Sequence, residues 1–258
     1  MALNPRRVRT RITTITRPCA KCSTGFYFSQ QPLIQVMASM PEKLRVRLFV
    51  DFWNFQICWN ECHARSGAAE VVPIPWKELP LVLTTEAAKD QPAKFTGARV
   101  YASVDPLSPK DKKLKLWLHH TLKSFTGYSV EVKERRPRKP VRCQNENCKT
   151  LITQCPACAN QLRGTVEKGV DAAIITDLLS LAFDGNYDLG VLVSGDADYV
   201  PAVEYIQKKS DVQIVQAFFK AHGDQLRNVC WDHIFFEDLM SKLIPAAHAK
   251  AVSATGSV

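Results

Sequence analysis

Four aspartates and one asparagine are the residues of this chain whose types and positions predict catalytic chemistry. Asp51 ends the run RLFVD, Asn54 lies three residues later, and Asp196 and Asp198 follow the apolar run LGVLV. Asp171 falls on the apolar side of a helix predicted over 167–183, where a carboxylate is costly unless a cation compensates it. Because the carboxyl ends of parallel strands meet at one edge of a sheet, we expect these side chains to converge there.

Such a group of acids is typical of a site for a hard divalent cation. Clustered carboxylates raise one another's pKa, and oxygen ligands with few histidines nearby favour Mg²⁺ or Mn²⁺. One or two such ions can activate a water molecule and stabilise charge on a phosphodiester. The alternative is that the acids are ordinary helix caps and turn residues. Under the first interpretation the catalytic residues are Asp51, Asn54, Asp171, Asp196 and Asp198, with the four aspartates holding the metal.

Four cysteines fall within sixteen residues and predict a second metal site. Their spacing, Cys143-x4-Cys148-x6-Cys155-x2-Cys158, supplies two pairs of thiolates that suit tetrahedral Zn²⁺. Four protein ligands leave no open coordination position, so this zinc is expected to be structural. The alternative is a flexible insertion with reduced, unligated cysteines.

The positive charge of the chain is concentrated in two segments. The 258 residues carry a net charge of +9, and residues 1–41 contain six basic residues and no acids. Six more basic residues lie in 133–142, beside the cysteines. A basic balance favours polyanionic partners. The longest apolar runs fall short of the roughly 20 residues that a membrane-spanning helix needs, so an integral membrane protein is not expected.

Strand and helix patterns alternate from residue 44 onward. The elements that they predict place the acids in the fold. Short apolar runs predict strands over 45–51, 98–104, 128–134, 188–196 and 212–219. Longer patterns predict helices over 54–66, 76–90, 109–125, 167–183, 199–209 and 223–230, and the segment 234–239 closes the domain. Such alternation implies parallel strands joined by right-handed helical crossovers. The expected fold is therefore an α/β three-layer sandwich.

Three sequence blocks carry a resemblance to a known family. VDFWN (50–54), EKGVDAAIITD (167–177) and LVSGDADYVPAV (192–203) resemble the signature blocks of the NYN domain, in the LabA-like branch of the PIN-like nuclease superfamily. The similarity covers about 44–240 and implies a Rossmann-like αβα sandwich with a mostly parallel sheet and metal-dependent ribonuclease activity. It assigns the family's acids to Asp51, Asp171, Asp196 and Asp198, with Asn54 and Lys168 as companions, and Ser194 and Asp177 also match the pattern.

Two features depart from the family pattern. Many members carry a small residue where Trp53 stands, and this ring could narrow the cleft or stack on a base. The insertion 135–165, which we interpret as zinc-ribbon-like, is absent from a minimal domain. The residues expected to bind substrate are Lys168, Ser194, Arg135, Arg136, Arg138 and Lys139. Lys168 and the basic run also have an ordinary interpretation as solvated residues, Lys168 in the first turn of its helix.

We therefore predict an endoribonuclease that hydrolyses RNA phosphodiester bonds with Mg²⁺ or Mn²⁺ and an activated water. One alternative is a non-catalytic RNA-binding or regulatory NYN-domain adaptor. Another is a metal-dependent phosphoesterase that acts on DNA or on small phosphate esters. A homo-oligomer or a protein partner is possible, but the sequence does not indicate either.

The chain is expected to consist of one domain with flanking segments. The domain spans 44–245 and contains the insertion 135–165, and 246–258 is expected to be a flexible tail. Residues 1–43 are a disordered tail, a transit-like segment or an upstream extension. We expect a cytoplasmic protein, with organelle targeting by residues 1–40 as the alternative.

Overall fold

A computed structural model describes residues 43–65, 72–138, 141–143, 145–159, 162 and 164–244. Within these residues the strands are β1 (Leu44–Asp51), β2 (Ala93–Val104), β3 (Tyr128–Glu134), β4 (Arg136–Pro137), β5 (Val141–Arg142), β6 (Leu151–Ile152), β7 (Thr165–Val166), β8 (Leu189–Val193), β9 (Gln213–Phe218) and β10 (Asp232–Phe235). The helices are α1 (Phe52–Arg65), α2 (Leu79–Ala88), α3 (Pro109–His120), α4 (Val170–Phe183), α5 (Val200–Lys209), α6 (Asp224–Val229) and α7 (Phe236–Leu243). The predictions for the segments before Lys43 and after Ile244 lie outside the described residues.

Six strands form one sheet in the order β10-β9-β8-β1-β2-β3, and every neighbouring pair is parallel. The chain builds β1, β2 and β3 outward in one direction and then crosses back to build β8, β9 and β10 in the other. The order therefore reverses between β1 and β8, and in open α/β sheets ligands bind outside the carboxyl ends of the strands at such a point. The expected α/β three-layer fold with a mostly parallel sheet is confirmed.

Both faces of the sheet are covered, which explains why its strands are apolar along their whole length. Leu48 and Val50 of β1 pack on one face in a core with Trp59 of α1. Phe49 points to the other face and packs with Ile174 of α4. The first core also contains residues of α2, α3 and α7, and the second contains residues of α5 and α6.

Helix α4 begins three residues later than the sequence pattern suggested. Gly169, at φ 85°, precedes the helix in the left-handed conformation that glycine adopts at little cost. Thr165 and Val166 instead form β7, which pairs antiparallel with β4. Lys168 therefore lies in the loop before α4, and its expected place in the first helical turn is wrong.

Helix α3 is also shorter than predicted, because it ends at His120 and a single 3₁₀ turn (Leu122–Ser124) follows. Its predicted start at Pro109 is confirmed, and the Ser108 side chain caps it by accepting a hydrogen bond from the Asp111 backbone N–H. In the part of the chain that the structure describes, no helix combines the length and the apolar character needed to cross a bilayer.

Candidate active site

Asp51 and Asp171 lie at the point where the strand order reverses, and one tyrosine links them. Asp51 is the last residue of β1 and is 5% exposed, while Asp171 lies in the first turn of α4. The buried Tyr199 hydroxyl lies 3.0 Å from Asp51 Oδ2 and 3.2 Å from Asp171 Oδ1. A hydroxyl has one proton, so it donates to one carboxylate at a time. Tyr199 therefore keeps the two acids close together through a neutral donor.

The loop after β8 carries the other two aspartates. The Asp196 side chain caps the 3₁₀ turn Ala197–Tyr199 by accepting a hydrogen bond of 2.9 Å from the Asp198 backbone N–H. Ser194, which is fully buried, accepts a hydrogen bond from the Asp196 N–H. This short acid loop, residues 194–198, places Asp196 and Asp198 where their charges act on Asp171.

Asn54 joins the acid loop to the end of β1. Its backbone N–H donates to Asp51 Oδ1 at 3.3 Å, and its side-chain oxygen accepts the Gly195 N–H at 2.9 Å. Gly195 has no room for a larger residue, because a Cβ there would lie 2.3 Å from the Phe218 ring. Asn54 therefore positions both the first acid and the loop of the later ones.

Burial and neighbouring charge raise the pKa of two of the carboxylates, those of Asp51 and Asp171. Burial, with smaller contributions from Glu167 and Asp171, raises the pKa of Asp51 to about 6, although hydrogen bonds from Asn54 and Tyr199 oppose the change. Burial and the charges of Asp196 and Asp198 also raise the pKa of Asp171. Burial and the two carboxylates raise the pKa of Tyr199, so its hydroxyl stays protonated. A divalent cation is the natural compensation for such a group.

A fifth acid, which the sequence analysis did not single out, lies beside the four. Glu167 follows β7 and is close enough to raise the pKa of Asp51. It accepts a hydrogen bond from the buried Ser103 hydroxyl at the end of β2, and Arg135 lies 4.0 Å away. Glu167 and Tyr199 stand inside the blocks EKGVD and SGDADY. Both residues therefore stand in recognisable sequence motifs. Polar residues in or beside motifs are common, however, so the roles of these two can be assigned only from their contacts in the structure.

Trp53 and Arg135 form one wall beside this acid. The Arg135 guanidinium lies 5.0 Å from the centre of a Trp53 ring, within cation–π range. The Trp53 indole N–H donates to the Ser103 carbonyl at 2.6 Å, and Arg135 Nε donates to the Ser103 hydroxyl at 2.9 Å. These hydrogen bonds fix the ring and the guanidinium beside Glu167.

The other residues expected to bind substrate lie at varying distances from the acids. Lys168 is exposed in the loop before α4, and Arg136 and Arg138 are exposed where the insertion leaves the sheet. Lys139 lies outside the described residues. Asp177 pairs instead with Arg99 and accepts a hydrogen bond from Tyr101.

The four cysteines of the insertion form two similar loops. A residue with positive φ directly follows the second cysteine of each pair: Lys149 at 45° after Cys148 and Ala159 at 54° after Cys158. The Thr150 hydroxyl lowers the pKa of Cys148, and the Cys158 backbone N–H lowers the pKa of Cys155. Both effects favour thiolates. The four sulphur atoms are not gathered as in a formed zinc site, however, because no three of them lie within 4.8 Å of one another.

The acids form an open group of the kind that binds a hydrated cation. Of the described residues, only Cys58, Glu61 and His222 bring three ligand atoms within 4.8 Å of one another, and none of these is one of the four aspartates. Mg²⁺ usually keeps several of its waters and binds through one or two carboxylates. The chemistry of the donors, all oxygen and without histidine, therefore fits Mg²⁺ or Mn²⁺.

A sequence model of one protein family matches most of this chain and shows which family it belongs to. The model for the NYN domain matches residues 45–239. The chain belongs to the NYN domain family. This NYN domain contains β1, the acid loop and the insertion, and it places the protein among the relatives of PIN-like nucleases, which typically use divalent metals.

Two solved structures resemble the NYN domain in fold only weakly. A Vibrio parahaemolyticus protein of unknown function is 19% identical with a TM-score of 0.48, and the match covers 77% of this chain and 96% of that one. The structure of Sir2Af2 bound to a myristoylated histone peptide is 10% identical with a TM-score of 0.34, covering 83% of this chain and 93% of that one. No curated protein matches the sequence.

Proposed function

We propose that this NYN-domain protein is a metal-dependent endoribonuclease that hydrolyses phosphodiester bonds of RNA. The observation that carries the proposal is the Tyr199 hydroxyl between the carboxylates of Asp51 and Asp171, residues 120 positions apart that meet where the strand order reverses. Structural packing alone does not account for a buried and a partly buried carboxylate placed so close together, because bare carboxylates destabilise a fold.

Asp51, Asp171, Asp196 and Asp198 would hold Mg²⁺ or Mn²⁺, directly or through water. Such an ion supplies a Lewis acid and a water of lowered pKa for attack on a phosphodiester. Tyr199 would hold the carboxylates of Asp51 and Asp171 close together, and its hydroxyl would donate to the carboxylate oxygen that does not bind the metal. Asn54 orients Asp51 through its backbone N–H and holds the acid loop at Gly195.

A single-stranded polyanion suits the surroundings of the acids. The exposed Arg136 and Arg138, which follow Arg135 in the chain, provide positive charge for phosphates. Trp53, which is partly exposed next to Asn54, supplies an aromatic surface on which a base can stack. Arg135 already lies over that ring, so an incoming base either exchanges with the guanidinium or stacks beside it. RNA is favoured over DNA by the relationship to NYN and PIN-like domains.

The insertion is proposed to bind one structural Zn²⁺ through Cys143, Cys148, Cys155 and Cys158. Its support is the pair of similar cysteine loops, each with a hydrogen bond that favours the thiolate. The pairs must approach each other to share an ion. A zinc there would stiffen the segment that follows Arg138 and so restrict how the basic residues are presented.

A substrate and metal panel tests the proposal. We expect the purified full chain to cleave a labelled single-stranded RNA in Mn²⁺ or Mg²⁺ and to be inactive without a divalent cation. The matched DNA oligonucleotide and p-nitrophenyl phosphate should react at least about tenfold more slowly. Preferred cleavage of DNA or of the small ester would favour the general phosphoesterase instead. RNA binding without cleavage in any metal would favour the non-catalytic adaptor.

Neutralising the basic cluster should weaken RNA binding in a salt-dependent way. Each phosphate contact contributes about 0.7 to the slope of log K against log salt for single strands, so Arg136→Gln with Arg138→Gln should reduce the slope by about 1.4. Filter binding over a range of salt concentrations measures this. The double variant Lys208→Gln and Lys209→Gln, at the exposed end of α5, is the control and should keep the wild-type slope. Equal slopes for both double variants would contradict an RNA path along the insertion.

A further inference from the structure

Three potential metal ligands of different chemical types, none of them one of the four aspartates, meet beside α1. Cys58 and Glu61 are one turn apart on α1, and His222 lies in the loop between β9 and α6. The Cys58 sulphur, a Glu61 carboxylate oxygen and a His222 ring nitrogen all lie within 4.8 Å of one another. Residues 58 and 222 are far apart in the chain, so only the fold brings this group together.

The His222 ring nitrogen provides an independent indication that something is missing from this group. His222 Nε2 is shielded from solvent and has no hydrogen-bond partner among the described residues. Glu61 Oε2 lies 3.4 Å from it, which permits an ion pair with a protonated ring but not a well-formed hydrogen bond. The His222 side chain as a whole is 40% exposed, but a shielded nitrogen without a partner is costly, and a metal ion would satisfy it.

The donor set selects the kind of ion. A thiolate, an imidazole and a carboxylate together suit Zn²⁺ and are poor ligands for Mg²⁺. Zn–S bonds of about 2.3 Å and Zn–N bonds of about 2.0 Å put tetrahedral ligands roughly 3.5 Å apart, so side-chain movements of about 1 Å would complete the set. We propose that Cys58, Glu61 and His222 form a Zn²⁺ site with one position left for water, separate from both the aspartates and the insertion.

This zinc would connect α1 to the acid loop. Asn54, which accepts the Gly195 N–H, lies one turn before Cys58 on the same helix. Gly223, next to His222, packs against Gly195 so closely that a Cβ on Gly223 would lie 2.9 Å from the Gly195 Cα. Gln216, which is 1% exposed, donates to the carbonyl oxygens of Ser194 and Gly223 and joins the two loops. An ion held by His222 would therefore restrain the loop against which the acid loop packs.

Native mass spectrometry of the full chain, produced with added Zn²⁺, tests the site by counting bound ions. We expect His222→Gln to carry one zinc fewer per chain than the wild type. His119→Gln, the same change at an exposed histidine of α3, is the matched control and should keep the wild-type count. The readout is a difference between variants, so zinc bound by the insertion does not affect it, and neither does the presence or absence of ribonuclease activity.

Cobalt spectroscopy provides a second readout in case His222→Gln disturbs the loop. In a Cys148→Ser and Cys155→Ser background, added Co²⁺ should still produce a sulphur-to-cobalt charge-transfer band from Cys58, and adding Glu61→Gln should weaken Co²⁺ affinity at least about tenfold. Glu61 is half exposed, so this change is not expected to unfold the chain. Equal zinc counts in wild type and His222→Gln, or a cobalt titration that is insensitive to Glu61→Gln, would overturn the site.

Discussion

Asp196→Asn should lower the rate of metal-dependent RNA cleavage by about 100- to 1,000-fold, because a metal ligand contributes several kcal/mol of transition-state stabilisation. The fold should survive, since an asparagine oxygen can still accept the Asp198 backbone N–H that Asp196 now caps. Single-turnover cleavage of a labelled RNA measures the rate, and filter binding on the same samples measures RNA affinity. We expect affinity to stay within about threefold of the wild type, because the basic residues are unchanged.

Asp211→Asn is the matched control for this experiment. Asp211 is an exposed residue before β9, at the end of that strand opposite to the acids, and the substitution removes the same charge. It should cleave at the wild-type rate. Full activity of Asp196→Asn would show that the observed nuclease is a contaminant or that the acids are not the catalytic group.

The second large effect concerns stability rather than rate. In buffer without divalent cations, Asp51→Asn should raise the free energy of unfolding at pH 7 by about 1–3 kcal/mol. Burial raises the pKa of Asp51 from 3.8 to about 6, so the folded wild type binds this proton more tightly than the unfolded chain. Its stability therefore falls as pH rises from about 4 to about 6, and the full penalty of the ionised carboxylate is present above that range. Asparagine is neutral at every pH and avoids the penalty.

Urea denaturation at pH 4.5 and pH 7 measures this difference. The wild type should lose stability between the two values relative to Asp51→Asn, and Asp211→Asn should follow the wild type. Added Mn²⁺ should stabilise the wild type and have little effect on Asp51→Asn, because the cation compensates the charge that the variant lacks. A variant that is less stable than the wild type at pH 7 would contradict the raised pKa.

Local patterns were sufficient to predict most of the fold. Apolar runs such as RLFV and LGVLV identify strands because burial on both faces demands apolar residues at every position. These runs predict that strands and helices alternate, and this alternation predicts a parallel sheet. In such a sheet, the acids that follow β1 and β8 lie at the edge formed by the carboxyl ends of the strands. The same patterns failed at the start of α4, because the left-handed conformation of Gly169 and the pairing of β7 with β4 depend on a distant segment.

The amino-acid sequence by itself determined the family and predicted a type of chemistry, because both inferences depend on residue types in short blocks such as SGDADY. Only the tertiary structure decided which side chains meet: Tyr199 between two aspartates, Glu167 beside Asp51, and His222 next to Cys58. The physical reason is that hydrophobic periodicity fixes where a residue lies on its own element. Contacts between elements depend instead on the order of the strands and on the packing of helices across the sheet.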